Sequence, residues 1–296
     1  MTTRSYGFIM SRFWFLYNPM AGNGCALERA KKLSEKYPES KVCDMTAIGG
    51  YKELFEQIPN EDSVVICGGD GTLNRFANDI AELDMKNKIY YSPVGTGNDF
   101  FRDLPEPKDE NDMYEVSKYI RGLPSVEVKG RTSLFINGIG YGVDGYCCEE
   151  GDRQRAQGIK KVDYTAIAIK GILSKFKRVN ATVTVDGEKK EYKKVWLAPT
   201  MNGRYYGGGI MPTPNQDRLS DDGKLSLMVF HGSGKLKTLI VFPSIFKGEH
   251  VKHTKIIDVL TGYDITVEFD RPTALQIDGE TVTEVTSYRA RSRNAK

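Results

Sequence analysis

The stretch Val64-Val65-Ile66-Cys67-Gly68-Gly69-Asp70-Gly71-Thr72-Leu73-Asn74 constrains this chain more than any other. A β-branched run stops at Gly-Gly-Asp-Gly, and residues of helical composition follow over 72–83. The order is strand, tight turn, helix start. Glycine accepts backbone angles closed to other residues and lets a ligand reach the main chain without meeting a Cβ. The unpaired N–H groups of a helix start, aided by the helix dipole, attract an anion. Asp70 places a carboxylate inside that turn, which points to a metal ion or a proton acceptor beside phosphates. An ordinary strand-to-helix turn would look the same in isolation; further turns of this kind in the same half of the chain shift the reading toward function.

Those turns are present. Residues 12–17 read as a buried first strand, followed by the turn Asn18-Pro19-Met20-Ala21-Gly22 and a helical segment over 26–36. Strands are expected at 41–45, 63–67 and 88–92, with a short helix at 53–58. The last strand runs into Pro93-Val94-Gly95-Thr96-Gly97-Asn98-Asp99-Phe100. Repeated strand–turn–helix units predict parallel pairing by right-handed crossovers, with ligands beyond the carboxyl ends of the strands. The first half is therefore expected to be a three-layer, Rossmann-like α/β domain over residues 10–124, and 105–112 reads as an acidic, proline-bearing loop.

The second half has a different texture. Strands are expected at 125–128, 134–137, 224–230, 254–260, 264–269 and 274–277. One basic helix is expected over 154–177, and a hairpin joins 179–185 to 192–198 around Asp186-Gly187. This spacing predicts an antiparallel β-sandwich over residues 125–286, with 287–296 returning to the first domain. The class is α/β plus all-β.

The chain has 296 residues, 40% of them hydrophobic and 27% charged, which fits a globular protein. No run approaches the ~18–20 apolar residues of a transmembrane helix. The first residues lack a signal-peptide pattern, and either Met1 or Met10 serves as the start. Five cysteines without metal-ligand spacing predict a reducing cytoplasm. The net charge of +3 does not announce a nucleic-acid binder.

Taken together, Asn18 to Gly22, Gly68 to Asn74 and Pro93 to Phe100, in that order, resemble the catalytic domain of the diacylglycerol kinase family, in its soluble bacterial lipid-kinase branch. The resemblance continues through Phe135-Ile-Asn-Gly-Ile-Gly-Tyr-Gly-Val-Asp144, Gly207-Gly-Gly-Ile-Met-Pro212, Asp221-Asp222-Gly223-Lys224-Leu225 and Leu275-Gln-Ile-Asp-Gly-Glu280. It implies the NAD kinase/diacylglycerol kinase type of fold and phosphoryl transfer from ATP to a lipid hydroxyl. By matching positions, Asn18, Pro19, Met20, Ala21, Gly22, Thr46, Gly68, Gly69, Asp70, Gly71, Thr72, Leu73, Asn74, Arg75 and Thr96 would line the ATP site. Main-chain donors and hydroxyls are suited to cradle phosphates.

The same resemblance implies a catalytic base at Glu280 with Asp278 beside it, and Asp70 acting at the phosphates. On a strand, positions 278 and 280 would point to one face. It also implies a structural magnesium held by the carbonyls of Leu219 and Lys224 and the carboxylate of Asp222, with Asp99 in the supporting network; all-oxygen ligation suits that ion. Two positions depart from the pattern. Glu127 is the nearest acid where the family carries an aspartate, and Asn23 stands where a bacterial relative carries lysine. Arg75, Arg102, Lys160 or Lys161 would have to compensate for that missing cation.

The acceptor end is less defined. Residues 167–179 mix apolar positions with Lys170, Lys175, Lys177 and Arg178, which suits an anionic bilayer or simple packing on the domain. Residues 242–250 would help line a lipid cleft. His231, His250 and His253 receive no role. The expectation is thus a cytoplasmic, ATP- and magnesium-dependent lipid kinase of phospholipid metabolism, transiently at the inner face of the membrane, binding no nucleic acid, with homodimerisation left open. A kinase of NAD or another small molecule, or a non-catalytic nucleotide- or lipid-binding module, remain the alternatives.

Overall fold

The computed structural model describes residues 12–94, 97–105, 113–159 and 161–295, leaving aside the side chain of Asn23. The expectations placed on Met10, Thr96, residues 106–112, Lys160 and the Asn23 side chain therefore lie outside the described residues. The chain divides into two compact units: the first ends at residue 121, and the second takes the rest together with 97–104.

The first unit is built on a five-stranded sheet, and its elements follow the expected alternation. They are β1 (Phe13–Tyr17), α1 (Cys25–Ser34), β2 (Lys41–Asp44), α2 (Tyr51–Gln57), β3 (Ser63–Gly68), α3 (Asp70–Asp79) and β4 (Lys88–Pro93). The helix α4 (Asp99–Asp103) belongs to the second unit, and the chain then returns for β5 (Tyr114–Glu115) and α5 (Ser117–Ile120). Strand order is β2-β1-β3-β4-β5, parallel except for β5. Every residue of the central β3 is buried, which is why it reads as an unbroken run rather than an alternation.

The second unit is a ten-stranded, wholly antiparallel sheet. Its elements are β6 (Ser125–Val128), β7 (Arg131–Leu134), β8 (Gly138–Tyr141), α6 (Val143–Ala156), α7 (Tyr164–Lys170), β9 (Val179–Val185), β10 (Glu188–Val195), β11 (Thr200–Met201), β12 (Leu225–Phe230), α8 (Lys235–Val241), β13 (Ile257–Gly262), β14 (Asp264–Ile277) and β15 (Glu280–Arg291). The long β14 pairs with β9 over its first half and with β8 over its last three residues, with register shifts near Thr273. It thereby turns the sheet over a core that includes Phe135, Tyr141, Val183, Leu227, Val267 and Tyr288.

Four expectations are corrected here. The single basic helix over 154–177 is two helices, because Gly158 sits in the left-handed region after α6 and Asp163 caps the start of α7 through Ala166 N–H. The strand expected at 134–137 lies instead at 131–134, since the N–H groups of Ile136 and Asn137 serve the Asp278 carboxylate rather than a ladder. Strands 264–269 and 274–277 are one irregular strand. Residues 287–295 do not return to the first unit: β15 pairs with β14 and β6, and Arg293 donates to the carbonyls of Arg218 and Ser220.

Candidate active site

In the first unit, β1, β3 and β4 lie side by side with their carboxyl ends level: Tyr17 is in register with Cys67, and Gly68 with Pro93. The two loops that leave β1 and β3 are knitted together, since Asn18 Nδ2 donates to Thr72 Oγ1 at 3.3 Å. Asn18 Oδ1 in turn accepts from Met20 N–H, folding Pro19, Met20 and Ala21 over into a short 3-10 turn that ends past Gly22. Gly68 is required sterically: a Cβ there would lie 2.6 Å from the Thr72 side chain. A Cβ on Gly71 would meet nothing within 4 Å, so the outer side of the turn is open to a ligand. Among the described residues no side chain caps α3. Its first turn thus offers main-chain donors and the positive end of the dipole.

The other residues expected around ATP divide by their surroundings. Asp70 is in the first turn of α3, with the Tyr91 hydroxyl donating to it at 3.4 Å. Leu73 is fully buried, so it contributes only its main chain. Asn74 faces along α3 toward Asn78, which donates to its side chain. Arg75 is exposed on the same helix. Thr46 donates its hydroxyl and its N–H to Asp44, at 2.7 and 2.8 Å, and that pairing holds the Asp44 carboxyl below its usual range.

In the second unit, Asp278 and Gly279 form a two-residue turn between Ile277 and Glu280, both in the left-handed region with φ of 46° and 94°. Asp278 is thus in a turn, not on a strand, and does not share a face with Glu280 as strand neighbours would. Its carboxylate points inward and accepts from the N–H groups of Ile136, Asn137 and Gly138 at 2.6, 2.9 and 2.9 Å. Burial raises its carboxyl, against the pull of these donors and of Arg218. Glu280, by contrast, is exposed and holds no side-chain hydrogen bond or ion pair among the described residues. Asp278 fixes the turn; Glu280 is presented by it.

Asp99 is buried and accepts the Gly208 N–H at 2.6 Å; burial raises its carboxyl, offset by Gly208 and Arg102. Three successive glycines, Gly207 to Gly209, are all left-handed, which lets main-chain N–H groups curl around that carboxylate. At the expected magnesium position, Asp222 accepts the Lys224 N–H at 3.2 Å and faces its ammonium at 3.4 Å. The Lys224 carbonyl accepts from Gln216 at 3.0 Å, while Leu219 is drawn into the turn through its N–H on Asp217. The Asp222 carboxylate and the main-chain carbonyls of Leu219 and Lys224 are oxygen donors of the kind that a hydrated hard cation takes. Among the described residues no three His, Cys, Asp or Glu side chains converge as a metal cluster. Glu127 is exposed on β6, in register with Arg289 of β15.

Residues 12–125 match the diacylglycerol kinase catalytic domain, and residues 137–291, more than half of the chain, match the YegS C-terminal NAD kinase beta sandwich-like domain. The chain belongs to the diacylglycerol kinase family. It is a bacterial-type lipid kinase by that membership. A diacylglycerol kinase of Mycobacterium tuberculosis is 28% identical over 251 residues, covering 80% of this chain and 79% of that protein. A diacylglycerol kinase of Staphylococcus carnosus is 27% identical, covering 90% and 87%. The fold is shared with a crystal structure of a diacylglycerol kinase from Bacillus anthracis: TM-score 0.60 and 21% identity over 95% of this chain and 93% of that one.

The lipid kinase carries buried polar residues that sequence reasoning missed. Asp103 accepts from Arg204 at 2.6 Å and from the buried Arg218 at 2.9 Å. Arg218 also donates to the Ile136 carbonyl and stacks on Phe100, so α4 is clamped to the segment that holds Asp278. Only the arginine and aspartate types were visible in sequence; their pairing spans more than a hundred residues. Asp144, in the first turn of α6, lies 2.5 Å from the Tyr206 hydroxyl, and burial pushes its carboxyl up to about 7 from the usual 3.8. A value raised on folding means that its contribution to stability is full below about pH 4 and is lost as pH rises through about 7. Asp144→Asn, which keeps the shape of the neutral acid, should match the parent at about pH 4 and exceed it above pH 7, by up to about 4 kcal/mol. Denaturant unfolding across that range checks this; parallel curves for both proteins would assign the titration elsewhere.

Proposed function

We propose that the protein transfers the γ-phosphate of ATP to the hydroxyl of diacylglycerol or a related lipid alcohol, with magnesium. The observation that carries this reading is the division of labour in the Asp278-Gly279-Glu280 hairpin: one carboxylate is locked by three main-chain donors and the next is left exposed and unpaired. Family membership supports the reaction class, and the open, uncapped turn at Gly68 to Asp70 supports a polyphosphate ligand.

In this reading the acceptor oxygen attacks the γ-phosphorus as the bond to the β-phosphate oxygen breaks. Glu280 takes the hydroxyl proton, leaving ADP and a lipid phosphate. Asn18 and the main chain of Gly69 to Thr72 hold the phosphates, and Thr72 aligns the two loops that form the cradle. Magnesium bound with the nucleotide would neutralise charge on the transferring phosphoryl group; a further ion would sit on Leu219, Asp222 and Lys224. Among the described residues no helix is long and apolar enough to cross a membrane. Use of ATP and free thiols in the chain support a cytoplasmic enzyme acting at the inner membrane face.

The test is transfer of labelled γ-phosphate to lipid alcohols in mixed micelles, with and without magnesium. Labelled lipid that disappears with chelator supports the reading, while label on NAD or on nothing overturns it. In the same assay Gly71→Ala should fold normally, because among the described residues its Cβ meets no atom within 4 Å beyond its own helix backbone, yet bind ATP about tenfold or more weakly by intruding on the phosphate path.

A further inference from the structure

Two short helices of the second unit have an unusual outer side. After α7 the chain makes one π turn, Gly171–Lys175, and after α8 it makes a 3-10 helix, Phe242–Lys247. The Lys235 ammonium at the start of α8 donates to the Leu173 carbonyl at 2.6 Å, so the π turn and α8 are neighbours. Their inner sides carry Ile167, Ala168, Ile172, Val241, Phe242 and Ile245, which are buried. Their outer sides leave large apolar groups in solvent: Ile169 at 43%, Leu173 at 50%, Leu236 at 74%, Ile240 at 70% and Phe246 at 42% exposure. The pairs Ile169/Leu173 and Leu236/Ile240 are each four residues apart, on one helix face.

The charges within these segments are all of one sign, the flanking acids being Asp163, which caps α7, and Glu249 beyond the 3-10 helix. Residues 164–178 and 232–248 contain Lys170, Lys175, Lys177, Arg178, Lys235, Lys237 and Lys247, and no Asp or Glu. The whole chain holds 42 basic and 39 acidic residues, so this segregation is local. Glu150, the acid that influences Lys170, is already paired to Arg153.

We propose that this face, formed by α7, its π turn, α8 and the following 3-10 helix, docks the enzyme on an anionic lipid bilayer. Exposed Leu, Ile and Phe enter the boundary of the acyl region while the ring of lysines meets anionic headgroups. This rests on the lipid-kinase reading, because a diacylglycerol acceptor resides in the bilayer. The charge pattern selects a bilayer over a second copy of the chain: a two-fold contact would set the same lysines against each other. Leu236 and Ile240 are more than two-thirds exposed, and Ile169 and Leu173 about half, so apolar surface of both pairs is available for insertion.

The experiment is co-sedimentation of the full chain with vesicles of phosphatidylcholine alone or with one third phosphatidylglycerol. Wild type should sediment with the anionic vesicles, and less at high salt. Leu236→Asp with Ile240→Asp should weaken sedimentation at least about tenfold, and Lys170→Glu with Lys237→Glu should remove the preference for phosphatidylglycerol, by roughly fivefold or more per lysine. Both variants should keep the wild-type melting temperature and the wild-type rate on a short-chain, water-soluble diacylglycerol, while losing rate on vesicle-borne diacylglycerol. Sedimentation of the variants equal to wild type overturns the proposal. So does a wild-type dimer that becomes monomeric in the variants with no vesicle binding. Failure to phosphorylate the soluble acceptor would overturn the kinase reading and leave the sedimentation result to judge the surface separately.

Discussion

Glu280→Gln should lower the turnover number for phosphoryl transfer by two to four orders of magnitude, the usual worth of a positioned proton acceptor. The amide is isosteric, and Glu280 is exposed with no side-chain partner among the described residues, so the melting temperature and the affinity for ATP should stay at wild-type values. Single-turnover transfer and calorimetric titration with nucleotide separate the two quantities. A variant within a few-fold of wild type would move the proton acceptor to another carboxylate, with Asp70 the next to substitute.

Asp278 should behave in the opposite way, as a loss of stability first and of rate second. Removing its carboxylate with Asp278→Ala leaves three buried N–H groups without their acceptor and takes away the negative charge that Arg218 feels nearby, a loss of about 3–5 kcal/mol. The φ of 46° adds strain for alanine that asparagine escapes, so Asp278→Asn should lose less and isolates the charge from the backbone term. Denaturant unfolding of both variants reads this order. Equal stability of Asp278→Ala and wild type would contradict the anchoring role given to those three hydrogen bonds.

Much of the first unit was legible because its information is local. A buried run that ends in Gly-Gly-Asp-Gly announces β3 and the start of α3 within a dozen residues, and the β9–β10 hairpin declared itself through Asp186-Gly187. The failures were non-local. β15, Glu-Thr-Val-Thr-Glu-Val-Thr-Ser-Tyr-Arg-Ala-Arg, has polar residues at most of its positions, and only Val285, Tyr288 and Ala290 are buried, so no periodicity marks it as a strand. The strand geometry that would set 278 and 280 on one face gives way to a two-residue turn at Asp278 and Gly279. The roles of Asp103 and Arg218 depend on partners brought together from distant sequence, and no window contains both. Asp99 likewise meets a distant partner, the Gly208 N–H in the glycine loop at 207–209.

The two-residue connection between β14 and β15 makes chain length as important as chemistry in this hairpin. Side chains alternate along the regular part of a strand, so one residue inserted or deleted between Ile277 and Glu280 turns the paired residues that follow to the other face. The pairing of Thr281 and Val282 with Gln276 and Leu275 would slip, and the register of Arg289, Ala290 and Arg291 against β6 would slip with it. Substitution along this hairpin is a local matter, but an insertion or deletion is not. In a library of natural or engineered variants, this is where length polymorphism should be absent while composition still drifts.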